Sequence, residues 1–369
     1  MKLKGSIVIA FSGRKYLMVR HRDRAWEFPG GRSEGRETPA ETARREFAEE
    51  TGLVGTRWNN HGIAELENGC LALFSCNVSG RPVPASEEIA EAGYFTAPPI
   101  NLSFSRPEYF SLLQMAGHRS KKKTDYDVAS RDFDNLRGRT VTNRIWTDSI
   151  TRLGHIERKS KVLDIGCGTG RHTLGLRDEC GAEICGLDYS GGMLSQANSK
   201  FRGCWLRADA VCLPVASRTF DRALLILVLQ HVDDEPKAIA EAHRILKPGG
   251  RLLLATVSHS RIRHHVTRLF PGLARIDLDR FMAVPELKWH LENQGFRRIS
   301  SKIMRTPKRT EAVEDLLERF RRRYISTLAL VPEKDFGKNL ALFERRLRKV
   351  YGGEVETDVE ITFVSAYKP

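Results

Sequence analysis

The sequence predicts an α/β protein of two domains, and three observations lead there. Short β-branched runs alternate with a helical segment over the first 116 residues. A lysine-rich stretch poor in apolar residues follows. From residue 161, five short apolar runs succeed one another with helical stretches between them, the βαβ pattern of a parallel sheet. Length agrees, because 369 residues exceed what one hydrophobic core usually organises. With 41% hydrophobic and 29% charged residues, the chain is neither disordered nor fibrous in composition. The densest apolar run, ALLILVL at 223–229, is far too short to cross a bilayer, so no membrane partner is expected. MKLKGSIVIAF reads as a first strand rather than a secretory leader. The seven cysteines (Cys70, Cys76, Cys167, Cys180, Cys185, Cys204, Cys212) are scattered without a CxxC. They predict reduced thiols in a cytoplasmic protein, neither disulfides nor a zinc site.

In residues 1–116, SIVIAF and KYLMV read as strands, and ETPAETARREFAEETGL has helical spacing that stops at Thr51 and Gly52. LALFSCNVS returns to strand character, and EAGYFTAPPINLSF runs out in prolines. GHRSKKKTDYD opens a basic linker that, with the first helices of the second domain, occupies 117–160. Residues 161–369 form that domain. Its strands are KVLDIG, AEICGLD, CWLRAD, RALLILVL and RLLLATVS, with four helical stretches separating them. Further on, PELKWHLENQGF reads as a helix, RRISSKIM as a strand and EVETDVEITFVSAYKP as a closing strand or hairpin. Between the last two lie two amphipathic helices. One aligns Val313, Leu316, Leu317, Phe320 and Tyr324, the other Phe336, Leu340, Phe343 and Leu347.

The net charge of +14 is unevenly placed. Residues 1–116 carry 14 basic and 14 acidic side chains, and 161–250 carry 11 of each. The excess sits in 117–160, at +5, and in 251–369, at +9. A basic patch on a neutral scaffold suits nucleic acid or anionic metabolites, or is a solvated face.

Two constellations carry chemistry. On a helix over about 39–50, Glu46, Glu49 and Glu50 stand at i, i+3 and i+4, so three mutually repelling carboxylates share one face. A bare triplet of this kind is usually a solvated acidic face. Oxygen ligands converging from one helix also suit Mg²⁺ or Mn²⁺, which neutralises the repulsion and activates water on a phosphate substrate. The surroundings decide between the two. The 23-residue run from Gly31 to Leu53 matches, at every defined position, the box GX5EX7REUXEEXGU: Gly31, Glu37, Arg45, Glu46, Phe47, Glu49, Glu50, Gly52 and Leu53. It thereby resembles the Nudix hydrolases, and WEFPGG upstream is similar to the turn that feeds their box. The resemblance implies an α/β/α sandwich that hydrolyses a nucleoside diphosphate linked to another group. It also implies that Glu46, Glu49 and Glu50 hold the metal, Glu49 and Glu50 being the catalytic candidates, while Glu37 and Arg45 brace the loop-helix-loop. SEEIAEAGYF looks like the later acidic segment of that family, so Glu87, Glu88 or Glu91 could add a ligand or base.

The second constellation is KVLDIGCGTGRHT, a strand running into Gly166, Gly168 and Gly170 and then a helix, the layout of a doubly wound nucleotide site. Asp188 ends the next strand, where a carboxylate can accept both ribose hydroxyls, and Asp209 follows the third. Taken in order, DIGCGTG, GLDYS, RADAVCLP, TFDRALLILVLQHVDD and HRILKPGGRLLLATV resemble the class I S-adenosylmethionine-dependent methyltransferases, in the ubiquinone/menaquinone-methyltransferase-like branch. A dehydrogenase is disfavoured because no GxGxxG occurs in that turn. The resemblance implies a Rossmann-like core in which Asp164, Gly166, Gly168 and Gly170 line the methionine and ribose side. Asp188 would bind ribose, Asp209 and Ala210 would flank adenine, and Tyr126, in YDVASRDFD, would contact the cofactor.

In-line displacement from a sulfonium depends mainly on positioning and exclusion of water, and needs a base only if the acceptor must lose a proton. His231, in LQHVDD, stands where such a base could act, or it only shapes the pocket; Gln230 is a weaker candidate. By the standards of this fold, residues 310–353 are an insertion and are expected to form a helical cap that selects the acceptor. The expected whole is a bifunctional enzyme, a diphosphate hydrolase joined to a methyltransferase of small, anionic acceptors. The alternative is an RNA (tRNA) methyltransferase whose Nudix domain senses a ligand or scaffolds. The basic clusters RRISSKIMRTPKR, RFRRRY and RRLRK could cradle RNA phosphates or an anionic small molecule, or be solvated helix faces, and aromatic interleaving for stacking bases is sparse in them. The sequence leaves oligomeric state open.

Overall fold

A computed structural model describes residues 3–13, 15–67, 69–117, 124–129 and 141–369. The chain divides into two compact units, Met1–Ser120 and Lys121–Pro369. Among the described residues no helix is long and apolar enough to cross a membrane.

In order, the first unit comprises β1 (Leu3–Ser12), β2 (Lys15–His21), β3 (Trp26–Glu27), β4 (Gly30–Gly31), α1 (Pro39–Thr51), β5 (Thr56–Leu66), β6 (Gly69–Asn77), β7 (Ile89–Phe95) and α2 (Arg106–Met115). The sheet order is β3-β2-β1-β6-β5, with β4 paired to β1 and β7 to β2. Only β1 and β6 run parallel, so the sheet is mixed. The start of α1 is fixed by a capping box between Thr38 and Glu41 followed by Pro39, and its end by Gly52 in the left-handed conformation. Its apolar face, Ala43 and Phe47, packs on Val8, Leu17 and Phe74. Burying Phe47 alone is worth roughly 2–3 kcal/mol. That packing turns Glu46 and Glu49 away from the core, while Glu50 remains buried at its edge.

The second unit begins with α3 (Tyr126–Ala129) and α4 (Val141–Gly154). The core follows as β8 (Lys161–Ile165), α5 (Arg171–Cys180), β9 (Glu183–Asp188), α6 (Gly191–Lys200), β10 (Cys204–Arg207), β11 (Phe220–Ile226), α7 (Glu235–Ile245) and β12 (Leu246–Thr256). Then come α8 (His259–His264), α9 (Leu273–Arg280), α10 (Val284–Asn293), β13 (Arg297–Arg305), β14 (Arg309–Ala312), α11 (Val313–Arg321), α12 (Glu333–Tyr351), β15 (Glu354–Thr357) and β16 (Glu360–Tyr367). The sheet order is β10-β9-β8-β11-β12-β16-β13, and β16 alone is reversed. Chain direction across the sheet switches between β8 and β11, which opens a crevice at their carboxyl ends, where open α/β sheets bind ligands. The Rossmann-like class I architecture expected from the sequence is therefore present.

Four expectations are corrected. No helix separates β10 from β11, where residues 208–219 form turns, so three helical crossovers serve the five strands rather than four. The closing segment is not a hairpin: β15 pairs with β14, and β16 enters the main sheet. Cys185 and Cys204 are joined in a disulfide, although reduced thiols were expected. They stand opposite each other on the adjacent parallel strands β9 and β10, a proximity their spacing of 19 residues conceals. Finally, the cap is larger than 310–353. Its core joins Phe320, Phe343 and Leu347 to Val266, Phe270 and Leu273 from an earlier stretch, whose irregular pattern hid its role.

Candidate active sites

In the first unit, Arg45 organises the helix face. Its Nε and Nη2 donate to the two carboxylate oxygens of Glu37 at 2.7 and 3.0 Å, the paired fork that closes loop onto helix. Arg45 Nη1 also reaches Glu49 Oε2 at 3.0 Å and Glu46 Oε1 at 3.1 Å, so these two carboxylates share one cation. Glu50 faces the other way: Oε2 accepts the Gly30 N–H at 2.9 Å, and Oε1 lies 3.2 Å from His21 Nε2. His21 Nε2 also meets Glu27 Oε1 at 2.9 Å. A Cβ at Gly31 would lie 2.2 Å from Glu46 Oε1, so a larger residue there would displace that carboxylate. Burial first, then the like charges of Glu46 and Glu27, push the Glu50 carboxyl up to about 8.

Carboxylates gathered this closely lack positive charge. Their hard oxygen donors fit a divalent cation in chemistry. Among the described residues, however, no three His, Cys, Asp or Glu side chains stand as a ready ligand set, because Arg45, His21 and Gly30 occupy them. Of the later acidic segment, Glu91 is tied to Arg20 at 3.2 Å, and only Glu88 is close enough to influence His21.

In the second unit, Tyr126, Gly166, Gly168, Asp188, Asp209 and Ala210 all line one cleft of about 1220 Å³. Gly166, at φ 73°, leaves no room for a side chain: a Cβ would meet Val228 at 2.5 Å. The Asp188 carboxylate accepts the Gly168 N–H at 2.8 Å and the Ser190 N–H at 2.9 Å, one on each oxygen. The Tyr189 N–H adds a third backbone donor, which leaves the carboxylate room to accept a ribose hydroxyl. Burial raises this carboxyl above its ordinary range, opposed by those backbone donors.

Two predicted residues do not line the cleft. Asp164 lies behind the glycine loop, where it accepts the Thr173 hydroxyl at 2.5 Å and burial raises it to about 6. It ties α5 to β8. Gly170 starts α5 beneath the Trp205 ring. Asp127, which the sequence reading passed over beside Tyr126, accepts Ser190 Oγ at 2.6 Å and the Gly192 N–H at 2.8 Å. It clamps α3 onto the start of α6.

His231 is corrected in role. Arg280, only 1% exposed, places Nη2 2.9 Å from His231 Nδ1. A guanidinium only donates, so Nδ1 is the lone-pair nitrogen and the ring proton sits on Nε2. Nε2 in turn lies 2.8 Å from Tyr126 Oη, which therefore receives its hydrogen bond. With one lone pair engaged and the other nitrogen protonated, His231 is no base. Gln230 donates to Leu227 O at 2.6 Å, bracing a leucine held at φ 57°, and is structural.

Both signs of charge line each end of the cleft. Asp127, Asp188, Asp209 and Asp234 stand with Arg171 at the end formed by the sheet, and Arg261, Arg309, Arg319 and Arg322 stand with Asp277, Asp358 and Glu360 at the cap end. Asp358 pairs with Arg261 and Glu311 with Arg319, while Arg309 has no acidic partner among the described residues. Burial, reinforced by Arg261 and Arg319, drives His265 down to about 4. Arg309, Arg319 and Arg322 lie in the basic clusters RRISSKIMRTPKR and RFRRRY that the sequence marks as able to cradle an anion, whereas Arg261 and Arg280 carried no signal of their own.

Comparison with known proteins assigns both units. Residues 1–113 match the family model described as NUDIX domain, and residues 163–254 the model described as Methyltransferase domain. The demethylmenaquinone methyltransferase of Lactiplantibacillus plantarum is 33% identical over 144 residues, 36% of this chain and 61% of that protein. The malonyl-[acyl-carrier protein] O-methyltransferase of Hahella chejuensis is 32% identical over 143 residues, 38% of this chain and 50% of that one. The chain thus spans 61% and 50% of these relatives' lengths, less than two thirds of either, and their names differ in acceptor. A solved putative methyltransferase from an antibiotic biosynthesis pathway of Anabaena variabilis shares the fold, with TM-score 0.50, 23% identity and coverage of 61% of this chain and 99% of that one.

Proposed function

From a chain that carries a NUDIX domain followed by a class I methyltransferase domain, we propose a bifunctional enzyme. Its first unit hydrolyses a nucleoside-diphosphate-linked compound with Mg²⁺ or Mn²⁺, and its second transfers a methyl group from S-adenosylmethionine to a small anionic acceptor. The observation that supports the acceptor class is Arg309, a cation at the cap end of the cleft that has no acidic partner among the described residues. S-Adenosylmethionine, when bound, supplies an electrophilic methyl on a cationic sulfur. Asp188 would hold its ribose, the loop at Gly166 and Gly168 would let it approach the backbone, and Asp209 with Ala210 would flank its adenine. Arg309 and its neighbours would orient the acceptor's anionic group.

In the first unit, Glu46, Glu49 and Glu50 would hold the metal once Arg45 yields part of its hold. Bound metal polarises the phosphate and lowers the proton affinity of water.

A small acceptor is favoured over RNA because several outer cap arginines are paired with acids, whereas Arg309 in the cleft is not. Arg321 and Arg348 pair with Glu314, and Arg323 with Glu333. An RNA track needs open cations along a surface.

The test is a metabolite extract incubated with purified full-length chain and labelled methyl donor, with and without Mg²⁺. A labelled small anion and a Mg²⁺-dependent loss of a diphosphate compound are expected. Label confined to the RNA fraction would overturn the acceptor class, and hydrolysis indifferent to metal would overturn the first half.

A further inference from the structure

We propose that Tyr126 is the group that takes the proton from the methyl acceptor, with His231 and Arg280 as its positioning residues. This rests on the methyltransferase reading above. An acceptor whose nucleophile carries a proton needs a base in the cleft. His231 is disqualified by its tautomer, and the carboxylates nearby have other employment: Asp188 binds backbone amides, Asp127 holds Ser190 and Gly192, and Asp209 caps the Val211 N–H at 3.1 Å.

Tyr126 stands at the end of a hydrogen-bonded chain whose direction is fixed throughout. Asp277 Oδ1 accepts the Thr327 hydroxyl at 2.5 Å. Thr327 Oγ1 accepts from Arg280 Nη1 at 3.1 Å, Arg280 Nη2 donates to His231 Nδ1, and His231 Nε2 donates to Tyr126 Oη. A donor on Oη with a buried cation behind it stabilises the phenolate over the phenol. The ring edge of Tyr126 also packs against the imidazole, with centroids 4.9 Å apart at 85°, so the oxygen is held in one place.

The resting phenol gives its proton to solvent. As the acceptor's lone pair forms the bond to the methyl carbon, the carbon–sulfur bond breaks with its electron pair left on sulfur, now a neutral thioether. The acceptor's proton passes to the phenolate oxygen, which returns to the phenol.

The ionisable groups in this part of the cleft are Asp125 just before α3, Asp127 on α3, Asp188 at the end of β9, Asp233 and Asp234 after the 229–231 turn, and Asp277 and Arg280 on α9. Arg280 is linked to Oη through His231.

The experiment follows tyrosine ionisation by NMR in the full-length chain, labelled at tyrosine Cζ and bound to S-adenosylhomocysteine. Tyr126→Phe identifies the resonance. In His231→Leu, the phenolate should form about one pH unit later than in the wild type, a tenfold loss of phenolate at a given pH. His231→Gln keeps an amide donor and should titrate close to the wild type. A Tyr126 resonance that titrates alike in the wild type and the leucine variant, or a glutamine variant that behaves as the leucine one, overturns the proposal. Wild-type chain that fails to bind S-adenosylhomocysteine overturns instead the methyltransferase reading on which it rests.

Discussion

The two sites are built from opposite kinds of sequence. Glu46, Glu49 and Glu50 stand on one helix, and their brace, Glu37 with Arg45, lies eight residues apart. The cleft of the second unit draws Tyr126, Asp188, His231, Arg280 and Arg309 from segments far apart in the chain. Their electrostatics differ as well. The first site buries Glu50 beside like charges, burial first and then Glu46 and Glu27 pushing its carboxyl up to about 8, an arrangement that a cation would complete. The second mixes both signs and balances much of each end internally, as Arg261 does with Asp358. A locally encoded site concentrates one kind of charge, while a site assembled by the fold can pair opposite charges drawn from distant segments.

The largest effect that can break this comparison comes from Glu50→Gln. Metal-dependent release of phosphate products should fall at least about 1000-fold, on the order of 4 kcal/mol, while calorimetric affinity for S-adenosylhomocysteine stays within about twofold of the wild type, because additivity holds for separate sites. Loss of both together would mean that the two sites are not separable. Next in size is Asp188→Ala. Removing a carboxylate that receives ribose hydroxyls should weaken S-adenosylhomocysteine about 10–100-fold, roughly 1.4–2.7 kcal/mol, and leave hydrolysis intact. Unchanged affinity would sink the ribose assignment.

Legibility follows the same division. The carboxylate face, the Glu37–Arg45 brace and the glycine loop could be read because each lies within one strand-helix unit, where spacing fixes geometry. Asp188, Asp209 and Ala210 could be placed because parallel strands end on one edge of the sheet. Asp164 was misplaced because it shares that loop but points beneath it to Thr173. The role of His231 was invisible for a different reason. It depends on Arg280, which nothing in the sequence pattern separates from the other cap arginines, and which only the packed cap brings to Nδ1. Cys185 and Cys204 likewise meet only through strand pairing.

The smallest expected effect tests how the cap holds His265. His265 Nδ1 accepts from the Thr267 N–H at 3.4 Å, and burial with Arg261 and Arg319 holds the ring at about 4 in the folded chain. The unfolded chain protonates near 6.5, so it binds the extra proton first as pH falls. Stability from this group is therefore fully present above about pH 6.5 and is lost towards pH 4, by about 1 kcal/mol at pH 6. His265→Asn retains an acceptor for the Thr267 N–H but does not titrate. Thermal melts between about pH 5 and 7 should lose less stability in the asparagine variant than in the wild type. His243, also held at about 4 by burial, remains to titrate in both proteins, so the difference isolates one group. Identical pH slopes would mean that burial beside Arg261 and Arg319 does not hold the His265 ring unprotonated.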